Sequence, residues 1–285
     1  MSRSGVPLAV VTAARRQART TLIRKYTSVG GIGTVGFALF MLGVIWLLRD
    51  VEFQQGQVAA SVYLMGGFLA FGVVAAAVIG VASELQYERD DGTLLRAKAV
   101  PHGMTGHLVA KLMAAPLDAM VPLLPAVLGV SLLLPGVMPD SLGGWLLLVL
   151  VFLLSVAAML PWGAVLGSVF RTMLGLGFAM MGVYALAALS GVFYPIASWP
   201  APIQAIAQAT PLYWIGHAVR SVLLPAEAAA GEIGGEFRLV LALMVLLGWA
   251  VVGLLLAPVL LRRMARRQSG SAVAAARDRV LSKGY

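Results

Sequence analysis

Apolar blocks of twenty or more residues recur along the chain, and they restrict its fold more than any other feature. About 20 helical residues cross a hydrocarbon core of roughly 30 Å. Charged residues make up 12% and hydrophobic residues 60% of the chain, with a mean hydropathy of +0.91. A soluble domain carries about 25% charged residues. The expectation is therefore one all-α membrane domain. Its six transmembrane helices fall near 29–48, 58–82, 104–134, 142–170, 173–194 and 237–261. Pro116, Pro122 and Pro125 make kinks the expectation in the third, because each removes a backbone donor.

Residues 1–28 form a leader and 262–285 a basic tail, on either side of a permease-like domain at 29–261. In the leader, Leu8, Val11, Ala18, Leu22 and Tyr26 recur at helical spacing beside Arg15 and Arg19. That pattern predicts an amphipathic helix lying in the interface against membrane lipids, although a solvated basic leader has the same composition. The leader lacks a small-residue cleavage pattern and is expected to be retained.

The net charge of +9 could point to nucleic acid, but the basic residues cluster at span ends, which excludes it. With the N-terminus inside, every Lys and Arg except Arg49, Arg220 and Arg238 falls on the cytoplasmic face or at its edge. This bias places both termini in the cytoplasm. Asp50, Glu52, Asp140, Glu227, Glu232 and Glu236 then lie outside. The absence of cysteine removes disulfides and thiolate metal sites.

Two segments depart from plain spans and loops. Residues 195–225 hold Trp199, Ile203, Ile206, Leu212, Tyr213, Trp214 and Ile215, interrupted by Pro200, Pro202 and Pro211. They predict a short re-entrant helical segment between spans 5 and 6, with Trp199, Tyr213 and Trp214 in an interfacial aromatic belt. Residues 84–98 concentrate charge after span 2, including Glu84, Glu88, Arg89, Asp90, Asp91 and Arg96. A break at Gly92, with Thr93 placed to cap the next turn, predicts two short helices on the cytoplasmic face.

Glu88-Arg89-x-x-Gly92-Thr93-Leu94, followed by Arg96 and Pro101, resembles the loop of type-2 ABC transporter permeases, notably exporters of the daunorubicin-resistance kind. The stretch Leu189-Ser190-Gly191-Val192-Phe193-Tyr194-Pro195-Ile196, then Trp199-Pro200 and Thr210-Pro211-Leu212, resembles that family's segment between spans 5 and 6. The chain departs from the pattern at Thr210, where the family often has Asn, and at Ala99 and Val100 before Pro101.

The resemblance implies the membrane subunit of an ATP-driven exporter of a lipophilic drug-like or lipid-like substrate in a bacterial plasma membrane. It implies pairing with a second permease copy or paralogue and with two P-loop ATPase subunits that bind ATP and Mg. It also implies that the loop after span 2 is a coupling helix, assigning Glu84, Glu88, Arg89, Gly92, Thr93, Leu94 and Arg96 to ATPase coupling. No Gly-Lys-[Ser/Thr] is present, so the chain has no P-loop and no catalytic site of its own.

Along spans 2 and 5, Tyr63, Met65, Phe68, Phe71, Met180 and Tyr184 offer adaptable faces for apolar ligands, or ordinary packing. The family places its path there. Asp118, about halfway along span 3, is an ionisable group that must face protein or water. It is a candidate for the substrate path, or satisfies backbone freed by the prolines. Gly163-x-x-x-Gly167 permits close helix approach, most simply within the chain. Two other classes are consistent with parts of the sequence. A lipid-phosphate transferase would need carboxylates beyond Asp91 to hold metal. An ion-coupled secondary transporter would depend on Asp118 alone, without the internal repeat such proteins carry.

Overall fold

The computed structural model describes residues 8–27, 29–53, 58–99, 103–134, 136–170 and 172–267. These are almost wholly helical, and the tail beyond residue 267 lies outside them. Helix α1 (Leu8–Tyr26) turns at Thr27 into α2 (Val29–Leu47). A two-residue antiparallel pair, β1 (Glu52–Phe53) with β2 (Val58–Ala59), leads into α3 (Ala60–Val74). A π-helical turn at Ala75–Gly80 continues into α4 (Val81–Asp90), and the short α5 (Thr93–Lys98) follows. Then come α6 (Gly103–Leu133), α7 (Leu142–Val169), α8 (Met173–Leu189), α9 (Ala201–Gln208) and α10 (Pro211–Leu223). A 3-10 turn at Ala226–Gly231 precedes α11 (Leu239–Arg267).

Among the described residues, four helical stretches are long and apolar enough to cross a membrane: Ala60–Asp90, Ala114–Leu133, Leu142–Val169 and Leu239–Leu261. Helices α2 and α8 are apolar but shorter, at 19 and 17 residues. The second span is not followed by a separate loop. Helix continues from Ala60 to Asp90, so Glu84, Glu88 and Arg89 ride on its end. Its 31 residues measure roughly 46 Å at about 1.5 Å each, longer than a hydrocarbon core. Helix α6 runs unbroken through Pro116, Pro122 and Pro125.

Helix starts follow local chemistry. Ser141 and Thr172 cap α7 and α8 by accepting from the N–H groups of Gly144 and Gly175 at 3.1 Å. Proline in the first turn begins both α9 and α10, where a missing N–H costs nothing.

The core is built on α7, which packs along α11 and across the helix from α3 to α4. Trp162 and Trp249 meet edge to face at 4.9 Å between ring centroids, and the Trp162 indole donates to the Trp249 carbonyl. Gly163 and Gly167 do make an intrachain contact. A Cβ on Gly163 would stand 2.3 Å from the Ala77 carbonyl oxygen in the π-turn, and one on Gly167 would stand 3.0 Å from the Ala82 carbonyl oxygen. Two backbones therefore touch where only glycine leaves room.

Helix α10 is sunk into the bundle against α3, α7 and α11. Tyr213 and Trp214 are 0% and 4% exposed, which overturns their placement in an aromatic belt. Trp199 is half-buried and stacks on Tyr194 at 5.2 Å. The α9–α10 end of the bundle is therefore a packed cap, and the α4–α5 end an elbow.

Candidate functional site

At the elbow, Gly92 takes φ +80°, a left-handed conformation that suits glycine, and turns the chain between α4 and α5. The Asp91 carboxylate accepts from the Thr93 N–H at 2.8 Å, so Asp91 rather than Thr93 caps the turn. The Thr93 hydroxyl instead accepts from the Arg96 guanidinium at 2.9 Å. Leu94 is 1% exposed and anchors α5 to the core. Arg89 reaches across to α7, donating to the carbonyls of Phe170, at 3.0 Å, and Gly167. A cation there satisfies helix-end carbonyls and answers the negative end of the α7 dipole. Glu88 and Thr93 are half-buried. Asp90, Asp91, Arg96 and Tyr87 face outward, and Tyr87 is 63% exposed. The sequence reading passed over Tyr87 because an aromatic within a charged run carries no spacing signal.

Glu84 points back toward α1, where Lys25 Nζ lies 3.8 Å from its carboxylate and 2.7 Å from Asp118 Oδ2. The Tyr26 hydroxyl contacts the Asp118 carboxylate at 2.9 Å and its carbonyl at 2.8 Å. Asp118 lies about halfway along α6 (Gly103–Leu133), where the sequence places it. It stands about one turn into the apolar stretch Ala114–Leu133, near the elbow, held by the helix that the leader forms. The basic side chains Arg15, Arg16, Arg19 and Arg24 of that helix are exposed.

Beside Asp118 is a cavity of about 220 Å³, whose lining includes Phe68 and Phe71. Of the other residues singled out on spans 2 and 5, Met65 is fully buried in the core and Tyr184 packs on Phe71 at 6.0 Å. Met180 packs with Ala82 and Leu176. Tyr63 sits in the first turn of α3, at the cap. The seven residues thus fall in several places, and three of them, Phe68, Phe71 and Asp118, share one cavity.

A second polar cluster, at the cap, has no counterpart in the sequence reading. Arg220 on α10 is 2% exposed and forms a bidentate pair with Glu232, at 2.5 and 3.0 Å. It also donates to the Gly191 carbonyl at 3.1 Å, and its guanidinium stacks over Tyr63 at 5.0 Å. Gly66 and Gly216 make room for it; a Cβ on Gly216 would lie 2.9 Å from the guanidinium. His217 Nε2 accepts from the Arg238 backbone N–H at 2.8 Å, so Nδ1 carries the proton donated to Glu232 at 2.7 Å. Burial alone would raise the Glu232 carboxyl. The Arg220 charge and the hydrogen bonds from His217 and Arg220 outweigh it and hold the group at about 2. Among the described residues, no cluster of three or more His, Cys, Asp or Glu side chains is placed to hold a metal.

The family model for the ABC-2 type transporter matches residues 9–224, from the leader helix through α10. No curated protein matches the chain. The matched region takes in the elbow, the Lys25–Asp118 pair and most of the cap, and on that basis the chain belongs to the ABC-2 type transporter family.

Proposed function

We propose that the chain is the permease subunit of an ATP-driven exporter, with six spans, both termini in the cytoplasm and the elbow facing a separate ATPase. ABC-2 membership implies an ABC ATPase partner in general. The observation that carries the assignment of the docking surface is the elbow. Tyr87, Asp90, Asp91 and Arg96 are exposed on a turn whose base is fixed by Leu94 in the core and by Arg89 on α7. A surface fixed in this way passes displacement to the spans rather than absorbing it. Gly92 and Thr93 set the shape of the turn, and Glu84 and Glu88 lie on the helix that leads into it.

The six-span count takes α2 and α8 as full crossings. At about 1.5 Å per residue, their 19 and 17 residues cover roughly 28 and 26 Å, close to the hydrocarbon thickness. The Lys and Arg bias then puts the elbow inside and the cap outside. A second permease, two ATPase subunits binding ATP and Mg, a lipophilic substrate and a bacterial inner membrane complete the reading.

Purification from native membrane in mild detergent tests it, with mass spectrometry of copurifying proteins. The expected result is a stoichiometric P-loop ATPase, lost in Arg96→Glu and Tyr87→Ala at unchanged permease abundance. A purified chain with no ATPase attached, even with a non-hydrolysable nucleotide present, overturns the reading.

A further inference from the structure

Among the described side chains that line the cavity beside Asp118, Lys25, Tyr26 and Asp118 carry the polar atoms, and these bond to one another. Lys25 Nζ donates to Asp118 Oδ2 at 2.7 Å, and the Tyr26 hydroxyl donates to Asp118 Oδ1 at 2.9 Å. A charged ligand of either sign would have to leave water and break into that pair. The rest of the wall is apolar. It consists of the rings of Phe37, Phe68 and Phe71 with small groups at Gly72, Ala75 and Ala76.

The small residues make the space. Ala75 and Ala76 belong to the π-helical turn, a departure from α-geometry frequent at functional sites. The space measures about 220 Å³. An apolar cavity of about 150 Å³ takes up benzene, and a drug-sized pocket begins near about 300 Å³. One ring with a short branch, or two fused rings, falls between these limits.

The wall also has the geometry to receive a ring. Phe37 and Phe68 lie 6.4 Å apart between centroids and are tilted by 40°. Phe71 is held in place at 5.8 Å from Phe193 and 6.0 Å from Tyr184. Rings so placed offer edges and faces to a further ring at about 4.5–7 Å. A rigid ring also gives up fewer rotors on binding than an acyl chain of equal volume. Phe37 is 52% exposed on α2, so the rim of the cavity reaches the outer surface of the bundle.

We propose that the cavity between α1, α2, α3 and α6 binds a small neutral aromatic molecule of one or two rings. The ligand enters past Phe37 and leaves the Lys25–Asp118 pair intact. Calling it the transported cargo rests on the permease reading above; its binding to the cavity does not.

The test places the full chain in phosphatidylcholine nanodiscs, without ATP or ATPase. A neutral phenyl diazirine is photolysed in the membrane, and labelled residues are mapped by peptide mass spectrometry. Labelling of residues 68–80 is expected to saturate and to be competed by tert-butylbenzene and naphthalene. Labelling of Leu255, which is 69% exposed on α11, should rise linearly with the probe. Phenyltrimethylammonium, which has the shape of tert-butylbenzene and a positive charge, should compete at least tenfold less at matched membrane concentration, as should dodecane. Ala76→Phe fills the cavity and should abolish saturable labelling while Leu255 labels as before. Phe37→Leu removes one ring at the exposed rim and should weaken competition by naphthalene at least threefold. Linear labelling of residues 68–80, or saturable labelling retained in Ala76→Phe, would overturn the proposal. Equal competition by dodecane would overturn it in favour of lipid chains, and equal competition by the ammonium would overturn the neutral ligand. Loss of the site with ATPase copurification intact would leave the permease reading standing.

Discussion

The two ends of the bundle each bury charge, and they do so in opposite ways. At the cap, Arg220, Glu232 and His217 are all 2% exposed or less, and each polar contact has a defined partner. At the elbow, Lys25 and Glu84 are each 34% exposed at the side chain, and one ammonium serves two carboxylates beside open space. The cap cluster is closed and almost wholly buried, while the elbow cluster is partly exposed and borders a cavity. A closed network of buried ions fixes a single arrangement, since removing any member strands the others. A partly exposed one is screened by solvent and fixes less.

The contrast is sharpest in Glu232→Ala, which leaves Arg220 buried without its carboxylate. It should cost about 3–5 kcal/mol, read as thermal unfolding in detergent. Arg220→Met combined with Glu232→Leu should recover most of that loss, because the penalty belongs to the stranded charge. Acid attacks the same cluster. Glu232 is held at about 2 in the folded chain against an ordinary 4.5. Its stabilisation is therefore complete above pH 4.5 and is lost as pH falls toward 2. The loss comes to about 3 kcal/mol at about 1.4 kcal/mol per unit, and Glu232→Gln should flatten that acid limb of the unfolding profile.

Gly163→Leu should be next in size, at about 1–3 kcal/mol or beyond, since even its Cβ would overlap the Ala77 carbonyl oxygen. Gly33→Leu, with nothing within 4 Å of its Cβ, is the matched control. Arg89→Ala removes the cation from the end of α7 and should cost about 0.3–2 kcal/mol, with increased hydrogen exchange at Gly167 and Phe170. Asp118→Asn should be the mildest, at about 1 kcal/mol, because its pair is partly exposed and the amide keeps the Tyr26 contact. If Asp118→Asn proved as damaging as Glu232→Ala, the two ends would be equivalent and the comparison would fail.

Most of the fold was legible because span length and span-end charge are encoded in consecutive residues. The apolar runs starting at Val29 and Leu142 begin helices at those residues, and Pro202 and Pro211 mark the two cap helices. The boundary after span 2 was misread because charge was taken as the end of helix. Yet the residues 84–90 are mostly competent helix formers, and a helix outside lipid can carry them.

The cap cluster was not legible. Arg220 and Glu232 are twelve residues apart on different elements, and each alone looks like a solvated outer charge. Arg220 and His217 at helical spacing within an otherwise apolar segment were the available signal, because a buried cation requires a buried anion. The Lys25–Asp118 pair spans 93 positions, and no local pattern links them. What the sequence did show was that Asp118 needed a partner, and the leader supplies it.

The glycine contact between α7 and the π-turn has a mechanical consequence. Ordinary helix pairs are separated by interleaved side chains, which can slip past one another by changing rotamer. At Gly163 and Gly167 no such cushion exists, and Arg89 clamps the same pair of helices a few residues farther along. The strut that bears the elbow is therefore doubled, with two helices braced backbone to backbone over their last turns. A push on Tyr87 cannot bend one helix without moving the other, so a thrust applied there enters the bundle with little play.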